Sequence, residues 1–162
     1  MNRFENGFNS YKTAILELEN RSNNEFKLKE IIINFHHAIE VLFKHILYSK
    51  NKGLIYKDIN IFVKETFNQK LRENPGKKSG ESQTAGFDET IKRIVVFFDE
   101  QIDQSTYNGF INLNKLRNAL VHDEIELKVE EIEQIVVTLT PMVTAILQKY
   151  LEDSEKSVLL NL

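Results

Sequence analysis

Apolar and polar positions alternate along this chain with a helical period for most of its length. Apolar residues recur three and four positions apart, as in amphipathic helices that bury one face. Only six glycines and two prolines interrupt the pattern. The period predicts helices over residues 9–19, 26–49, 58–69, 87–101, 108–121 and 128–152. We therefore expect an all-α protein, a compact up-and-down bundle of five to six helices that forms a single domain over residues 1–162.

Several residues predict where these helices begin and end. Asp58 is placed as an N-cap, because its carboxylate can accept hydrogen bonds from the first turn. Residues 72–86 have turn and linker composition, which predicts a mobile loop. Pro141 predicts a kink or an interruption in the last helix. The tail, residues 157–162, is apolar at its end and is expected to dock on the body of the bundle.

Composition narrows the classes of protein. Without cysteine the chain has no disulfide scaffold and no thiolate metal site. The N-terminus lacks a signal-peptide pattern, and no apolar run reaches the roughly 18 residues of a membrane span. We therefore expect a soluble cytoplasmic protein that does not bind membranes. The net charge of −3 argues against a general nucleic-acid coat, so contact with RNA requires a local basic patch.

Three polar residues stand inside the apolar pattern of the fifth predicted helix. They are Arg117, Asn118 and His122. At about 100° per residue, one arc of this helix carries the apolar side chains, and Arg117 points into the middle of it. The members of that arc are Phe110, Leu113, Leu116, Leu120 and Val121. A charged group there is costly unless it is paired, or unless the arc faces a partner or a cleft.

A cation, an amide and an imidazole close together on one helix suit phosphate chemistry. His122 can exchange protons near neutral pH. Arg117 offers a planar fork of donors to phosphate oxygens. Asn118 can hydrogen-bond the phosphate or orient the imidazole. Arg117 and His122 lie about 140° apart around an ideal helix, so two copies of the motif in a dimer would align them better than one helix does.

The stretch Arg117-Asn118-x3-His122 resembles the R-x4-H motif of the HEPN superfamily, whose members often carry Asn directly after the Arg. Residues 35–47, with Glu40 followed by an apolar run and Lys44, are similar to the long second helix of that family. The resemblance implies a bundle that dimerises through its motif helices, and a metal-independent endoribonuclease without a cofactor. It also implies a toxin–antitoxin or phage-defence setting, with an antitoxin or a regulatory protein as partner. Some toxin members carry a modified Tyr two residues after the His; here that position is Glu124.

Other polar residues have a plain and a functional interpretation. Glu40 and Lys44 form either a surface i,i+4 ion pair, opposite the apolar stripe of their helix, or a support in which Glu40 holds the guanidinium of Arg117. His37 is a candidate for the mouth of an RNA cleft, and His36 with Glu40 has metal-ligand spacing but supplies only two ligands. The basic residues beside the predicted loop are either solvated or grip the RNA backbone. These are Lys70, Arg72, Lys77 and Lys78.

Two classes of function remain open. The first is an endoribonuclease with Arg117, His122 and Asn118 in its active site. The second is a non-catalytic HEPN-like module for protein interaction, in which Arg117 pairs with a core carboxylate or lies in an interface and His122 only ends a helix. A sensor of a small ligand between the helices is a third interpretation, and nothing in the sequence names the ligand.

Overall fold

The computed structural model describes residues 2–20, 25–71, 83–122 and 127–159, with the side chains of His122 and Leu159 left out. These ranges form seven α-helices and a single 3-10 turn, Lys52–Ile55, and contain no β-strand, which confirms the all-α class; the bundle has more helices than the five to six expected. The helices are α1 (Arg3–Glu19), α2 (Glu25–Lys50), α3 (Ile59–Lys70), α4 (Phe87–Phe98), α5 (Gln104–His122), α6 (Val129–Tyr150) and α7 (Asp153–Leu159).

Helix α2 is the centre of the core. Its 26 residues make it the longest of the described helices, at about 39 Å. It packs against α1, α4, α5 and α6. Seven of its apolar side chains are completely shielded from water by the helices packed around it. These are Ile32, Phe35, Ala38, Ile39, Leu42, Phe43 and Leu47.

Helix α1 begins at Arg3, six residues before the predicted start. The Asn2 side chain accepts a hydrogen bond from the Glu5 amide at 2.8 Å, and the Glu5 carboxylate accepts one from the Asn2 amide at 3.0 Å. This capping box satisfies two amides that would otherwise lack partners. The extra turns bury Phe4 and Phe8 against the core.

The predicted cap of α3 is confirmed, and the chain around it departs from the predicted loop. Asp58 accepts hydrogen bonds from the amides of Asn60 and Ile61, at 2.8 and 3.3 Å. The end of the loop, residues 83–86, is held in place, because the Ala85 amide donates to the Ile55 carbonyl at 2.8 Å. Residues 72–82 lie outside the described residues.

Two other helix boundaries differ from prediction for local reasons, and the interruption expected at Pro141 is absent. Helix α4 ends at Phe98 rather than at residue 101, since Asp99 adopts a left-handed conformation. Helix α5 begins four residues earlier than expected, because the Asp103 carboxylate accepts from the Thr106 amide at 2.9 Å. Helix α6 continues through Pro141 without interruption.

The C-terminal segment forms a separate helix, α7, rather than an extension of α6. The His45 Nε2 atom lies 2.8 Å from the Glu155 Oε1 atom, so α7 is docked on α2 by a polar contact. Residues 160–162, the apolar end of the tail, are outside the described part of the chain. None of the described helices is long and apolar enough to cross a membrane.

Gly7 sets how closely α1 approaches α2, and its replacement tests that contact. A Cβ atom on Gly7 would lie 2.8 Å from Leu42 Cγ and 3.2 Å from the Leu42 amide nitrogen. Overpacking costs about 1–3 kcal/mol, while Ala in place of Gly favours the helix by about 1 kcal/mol. We expect Gly7→Ala to lower the free energy of unfolding by about 1 kcal/mol in urea denaturation. Thr13→Ala, at an exposed position of the same helix, should not lower it; a Gly7→Ala variant more stable than wild type would contradict this packing.

Candidate functional site

Helix α5 is less deeply buried in its last two turns than in its middle. Phe110 is 2 % exposed and Leu113 is fully buried, whereas Leu116 and Leu120 are half-buried against the core and Val121 is 53 % exposed. The expectation that Val121 belongs to a buried arc is therefore wrong. Arg117 is half-buried in this part of the helix. Its guanidinium thus keeps access to solvent and avoids most of the cost of burying a charge.

The Arg117 guanidinium has no acidic partner among the described residues. Its Nη1 atom donates a hydrogen bond to Asn118 Oδ1 at 3.0 Å. No described carboxylate lies within the 4.0 Å of an ion pair with it. The interpretation in which Arg117 pairs with a core carboxylate thus finds no support in the described part of the chain. A neighbouring amide leaves the positive charge in place, ready for an anion.

Helix α5 extends to His122, the last described residue before the gap at 123–126, so its predicted end near residue 121 stays a prediction. The His122 side chain lies outside the described structure, and so does Glu124. The backbone places His122 one turn beyond Asn118 on the same helix.

A second histidine, His36 on α2, joins the motif helix to the core. Its Nε2 atom lies 3.0 Å from Asn114 Oδ1, three residues before Arg117 on α5. The imidazole stacks on the ring of Phe87, with 4.0 Å between the ring centroids, and His36 is only 5 % exposed. Because Oδ1 is an acceptor, the tautomer protonated on Nε2 suits this geometry.

The environment of His36 keeps its imidazole neutral. Burial lowers the pKa of His36 below the ordinary histidine value, because it disfavours the charged form. The hydrogen bond to Asn114 and the negative charge of Glu40 raise this pKa and offset part of the effect. The positive charge of Arg117 lowers it further, which places the guanidinium within electrostatic range of the ring.

Glu40 and Lys44 form the expected i,i+4 ion pair, with 2.6 Å between Lys44 Nζ and Glu40 Oε1. The pair is not on a solvent surface as predicted, since Lys44 is 9 % exposed. Lys44 Nζ also donates to Thr84 Oγ1 at 3.2 Å, in the segment that precedes α4. Glu40 Oε2 lies 3.9 Å from His36 Nδ1. Among the described contacts Glu40 therefore supports Lys44 and His36, and it forms no ion pair with Arg117.

The remaining predicted residues are only partly described. His37 is half-buried beside His36 on α2. Lys70 is exposed at the end of α3. Arg72, Lys77 and Lys78 lie outside the described residues, so the proposed basic grip stays a prediction. In the described ranges no three histidine or acidic side chains are grouped so that they could hold a metal ion.

The sequence alone did not connect Asn114 or His36 with the Arg117 motif. A signal was present for His36, which lies four residues after Ile32 and seven before Phe43 on the buried side of α2. A histidine at such a position needs a polar partner. Asn114, three residues before Arg117, lies on the same side of α5 as the arginine and was the available candidate.

Comparisons with protein-family models, with curated proteins and with solved structures find no match to this chain. The site is therefore interpreted from its own chemistry.

The buried ion pair on α2 predicts that replacing Glu40 lowers stability more than replacing Lys44. Glu40→Gln keeps an acceptor for the buried Lys44 ammonium but removes the negative charge that compensates it, and we expect a loss of roughly 1–3 kcal/mol in the free energy of unfolding. Lys44→Met should cost less, because the side chain of Glu40 is 26 % exposed and can be hydrated. Urea denaturation measures both. Glu25→Gln, in the exposed pair with Lys29, is the control and should change stability by less than about 0.5 kcal/mol. Equal losses for Glu40→Gln and Glu25→Gln would contradict the buried placement.

His36 predicts a dependence of stability on pH. Its pKa is lower in the folded protein than the value of about 6.5 in an unfolded chain, so the unfolded chain binds the proton more readily. The resulting stabilisation is complete above pH 6.5 or so and is lost as the pH falls through the folded pKa. Wild type should therefore lose more stability than His36→Gln between about pH 7.5 and 5.5, measured by urea denaturation. His37→Gln retains His36 and should follow wild type; an undiminished decline in His36→Gln would exclude His36 as the cause.

Proposed function

We propose that this protein is a metal-independent endoribonuclease of the HEPN type that cleaves single-stranded or loop RNA. The observation that carries the proposal is the half-exposed Arg117, whose positive charge has no carboxylate partner among the described residues. A cation held on a rigid helix beside an amide is suited to bind a phosphate and to stabilise the charge that develops on it.

The mechanism assigns one task to each motif residue. Arg117 binds the non-bridging oxygens of the scissile phosphate through its planar fork of donors. His122 takes the proton from the 2′-OH or gives one to the leaving 5′-oxygen, and a histidine from a second copy would supply the other transfer. Asn118, whose Oδ1 accepts a hydrogen bond from Arg117, holds the guanidinium in one orientation. The 2′-oxygen attacks phosphorus as the bond to the 5′-oxygen breaks, which leaves a 2′,3′-cyclic phosphate and a 5′-hydroxyl.

The polar contacts on α2 leave the positive charge of Arg117 without an acidic partner in the described part of the chain, which supports this assignment. Glu40 is engaged with Lys44 and is directed toward His36, so it does not neutralise Arg117. The bond between His36 and Asn114 holds α5 against α2 at the level of the motif. The neutral His36 ring adds no positive charge that would compete with Arg117 for the phosphate.

The exposed edge of α5 supports a homodimer with a composite site. Val121 lies one turn after Arg117, and its 53 % exposure leaves an apolar side chain beside the motif. A second copy placed on this edge would cover Val121 and bring two motifs together. Two arginines facing each other repel, and a bound RNA phosphate would offset that repulsion.

Uncontrolled cleavage of RNA would be harmful to a cell, so we expect a partner that inhibits the enzyme. A toxin–antitoxin or phage-defence setting with an antitoxin or regulatory protein is consistent with it, and so is cytoplasmic location.

The test is cleavage of structured and unstructured RNA in EDTA by purified wild type, Arg117→Ala and His122→Ala. We expect wild type to produce 2′,3′-cyclic phosphate ends and each variant to lose roughly 100-fold or more of the rate. Lys115→Ala removes an exposed cation from the same helix and should stay within about twofold of wild type. Circular dichroism establishes that the variants fold.

Two results would overturn the nuclease. One is activity that survives both Arg117→Ala and His122→Ala, which would indicate a contaminant. The other is the absence of cleavage across the RNA panel, together with equal growth of cells that express wild type or the variants. The second result would favour the non-catalytic interaction module, in which Arg117 contacts a protein partner.

A further inference from the structure

Helix α3 lies on the bundle with an apolar stripe turned to solvent. It contains no buried residue. Ile59, Val63 and Phe67 follow one another at intervals of four, and they are 51, 57 and 59 % exposed. At about 100° per residue they cover an arc of about 80° on the outer face of the helix. Leu71, the residue that caps α3, continues the apolar surface and is 48 % exposed.

A groove adjoins this stripe between the start of α3, the 3-10 turn and α4. Its volume is about 790 Å³. Its apolar lining comes from both sides, including Leu54 and Ile59 on one wall and Val96 and Phe97 on the other. Val96 is 72 % exposed and Phe97 is 45 % exposed, so α4 also leaves apolar surface uncovered here.

Together the stripe and the groove expose an apolar area as large as the largest patches found on typical monomers. Six side chains that each offer roughly 150–200 Å² are about half exposed, which gives on the order of 600 Å². The largest apolar patch of a typical monomer is about 300–600 Å², and a standard interface buries about 800 Å² on each partner. The surface is therefore at the upper end of the range for a monomer and has about three quarters of the area that a standard interface buries on one partner.

The charges around this surface decide what fits it. The acidic groups of the groove are already engaged, since Glu89 pairs with Arg93 at 2.8 Å and Asp58 caps α3. By contrast, Lys57, Lys64 and Lys70 are exposed, and no carboxylate of the described residues lies within ion-pair distance of them. Lys64 and Lys70 border the stripe on α3, and Lys57 lines the groove. The available charge at the edges is therefore positive.

We propose that the α3–α4 surface binds an amphipathic helix of a partner protein whose apolar face is flanked by acidic residues. Such a helix would place its apolar side chains into the groove and against the stripe, in the helix-in-groove mode. Its carboxylates would then face Lys57, Lys64 and Lys70. The surface contains none of the α5 motif residues, so the proposal does not depend on ribonuclease activity.

The same observations disfavour the other occupants. A second copy of this chain would bring the lysines that border α3 against those of its partner, and like charges repel. An anionic membrane is flat on this scale and leaves a concave groove unfilled. RNA would meet the lysines and could stack bases on Phe67 and Phe97, but it would leave the four aliphatic side chains of the surface against a polar backbone.

The test uses a display library of randomised helical peptides of about 20 residues, selected on the full-length protein. We expect the enriched peptides to carry apolar residues at i, i+3, i+4 and i+7 with Glu or Asp at their flanks. The best peptide, measured by fluorescence anisotropy, should bind at least tenfold more tightly than a version with its acidic residues replaced by Lys. Val96→Glu should weaken binding at least tenfold, and Lys57→Gln with Lys64→Gln should remove most of the preference for acidic flanks.

Val137→Glu is the matched control, because Val137 is a valine of similar exposure, 69 %, on α6. It should bind the peptide within twofold of wild type. Peptides enriched without acidic flanks, or no enrichment, would overturn the proposal. It would also be overturned if Val96→Glu, but not Val137→Glu, split a dimer in ultracentrifugation or abolished binding to single-stranded RNA or to phosphatidylserine vesicles. Those results would identify a second copy, RNA or a membrane as the occupant.

Discussion

The burial of α2 is the interaction on which the rest of this structure depends. Four helices obtain their position by packing on it, and side chains such as Phe35 and Leu42 are completely removed from water. A fully buried side chain of this size contributes about 1.5–3 kcal/mol relative to exposure. Helices of 12 to 22 residues, such as α4 and α6, are marginal by themselves, so their stability comes from this shared contact.

A helix buried so deeply can carry polar groups only where each has a partner. His36 and Lys44 both lie in the core side of α2, and both are satisfied from within the bundle, by Asn114 and by Glu40 with Thr84. These contacts also tie α5 and the segment before α4 to the centre. The consequence at the motif is electrostatic, because Glu40 is paired with Lys44 and none of the described carboxylates forms an ion pair with Arg117.

The end of α5 and helix α3 both expose groups that the core does not cover, and the two groups differ in chemistry. The end of α5 presents a cation without an acidic partner in the described chain, and α3 presents apolar side chains without cover. Stability of the monomer explains neither, because exposing apolar surface and isolating a charge both forgo favourable interactions. Both features fit the proposals made above, in which an anion binds at Arg117 and an acidic amphipathic helix binds along α3 and α4.

The sequence by itself determined the helical class, most helix positions and the cap at Asp58, because helical periodicity and capping are local properties of the chain. It also singled out Arg117 as a charge within an apolar pattern. Only the tertiary structure decided that Val121 is exposed while Leu120 packs on the core, that Lys44 is buried, and that His36 rather than Glu40 reaches the motif helix through Asn114. Periodicity predicts which face of a helix is apolar, but it does not predict which side chains of that face find neighbours. Those contacts are set by packing between residues distant in sequence.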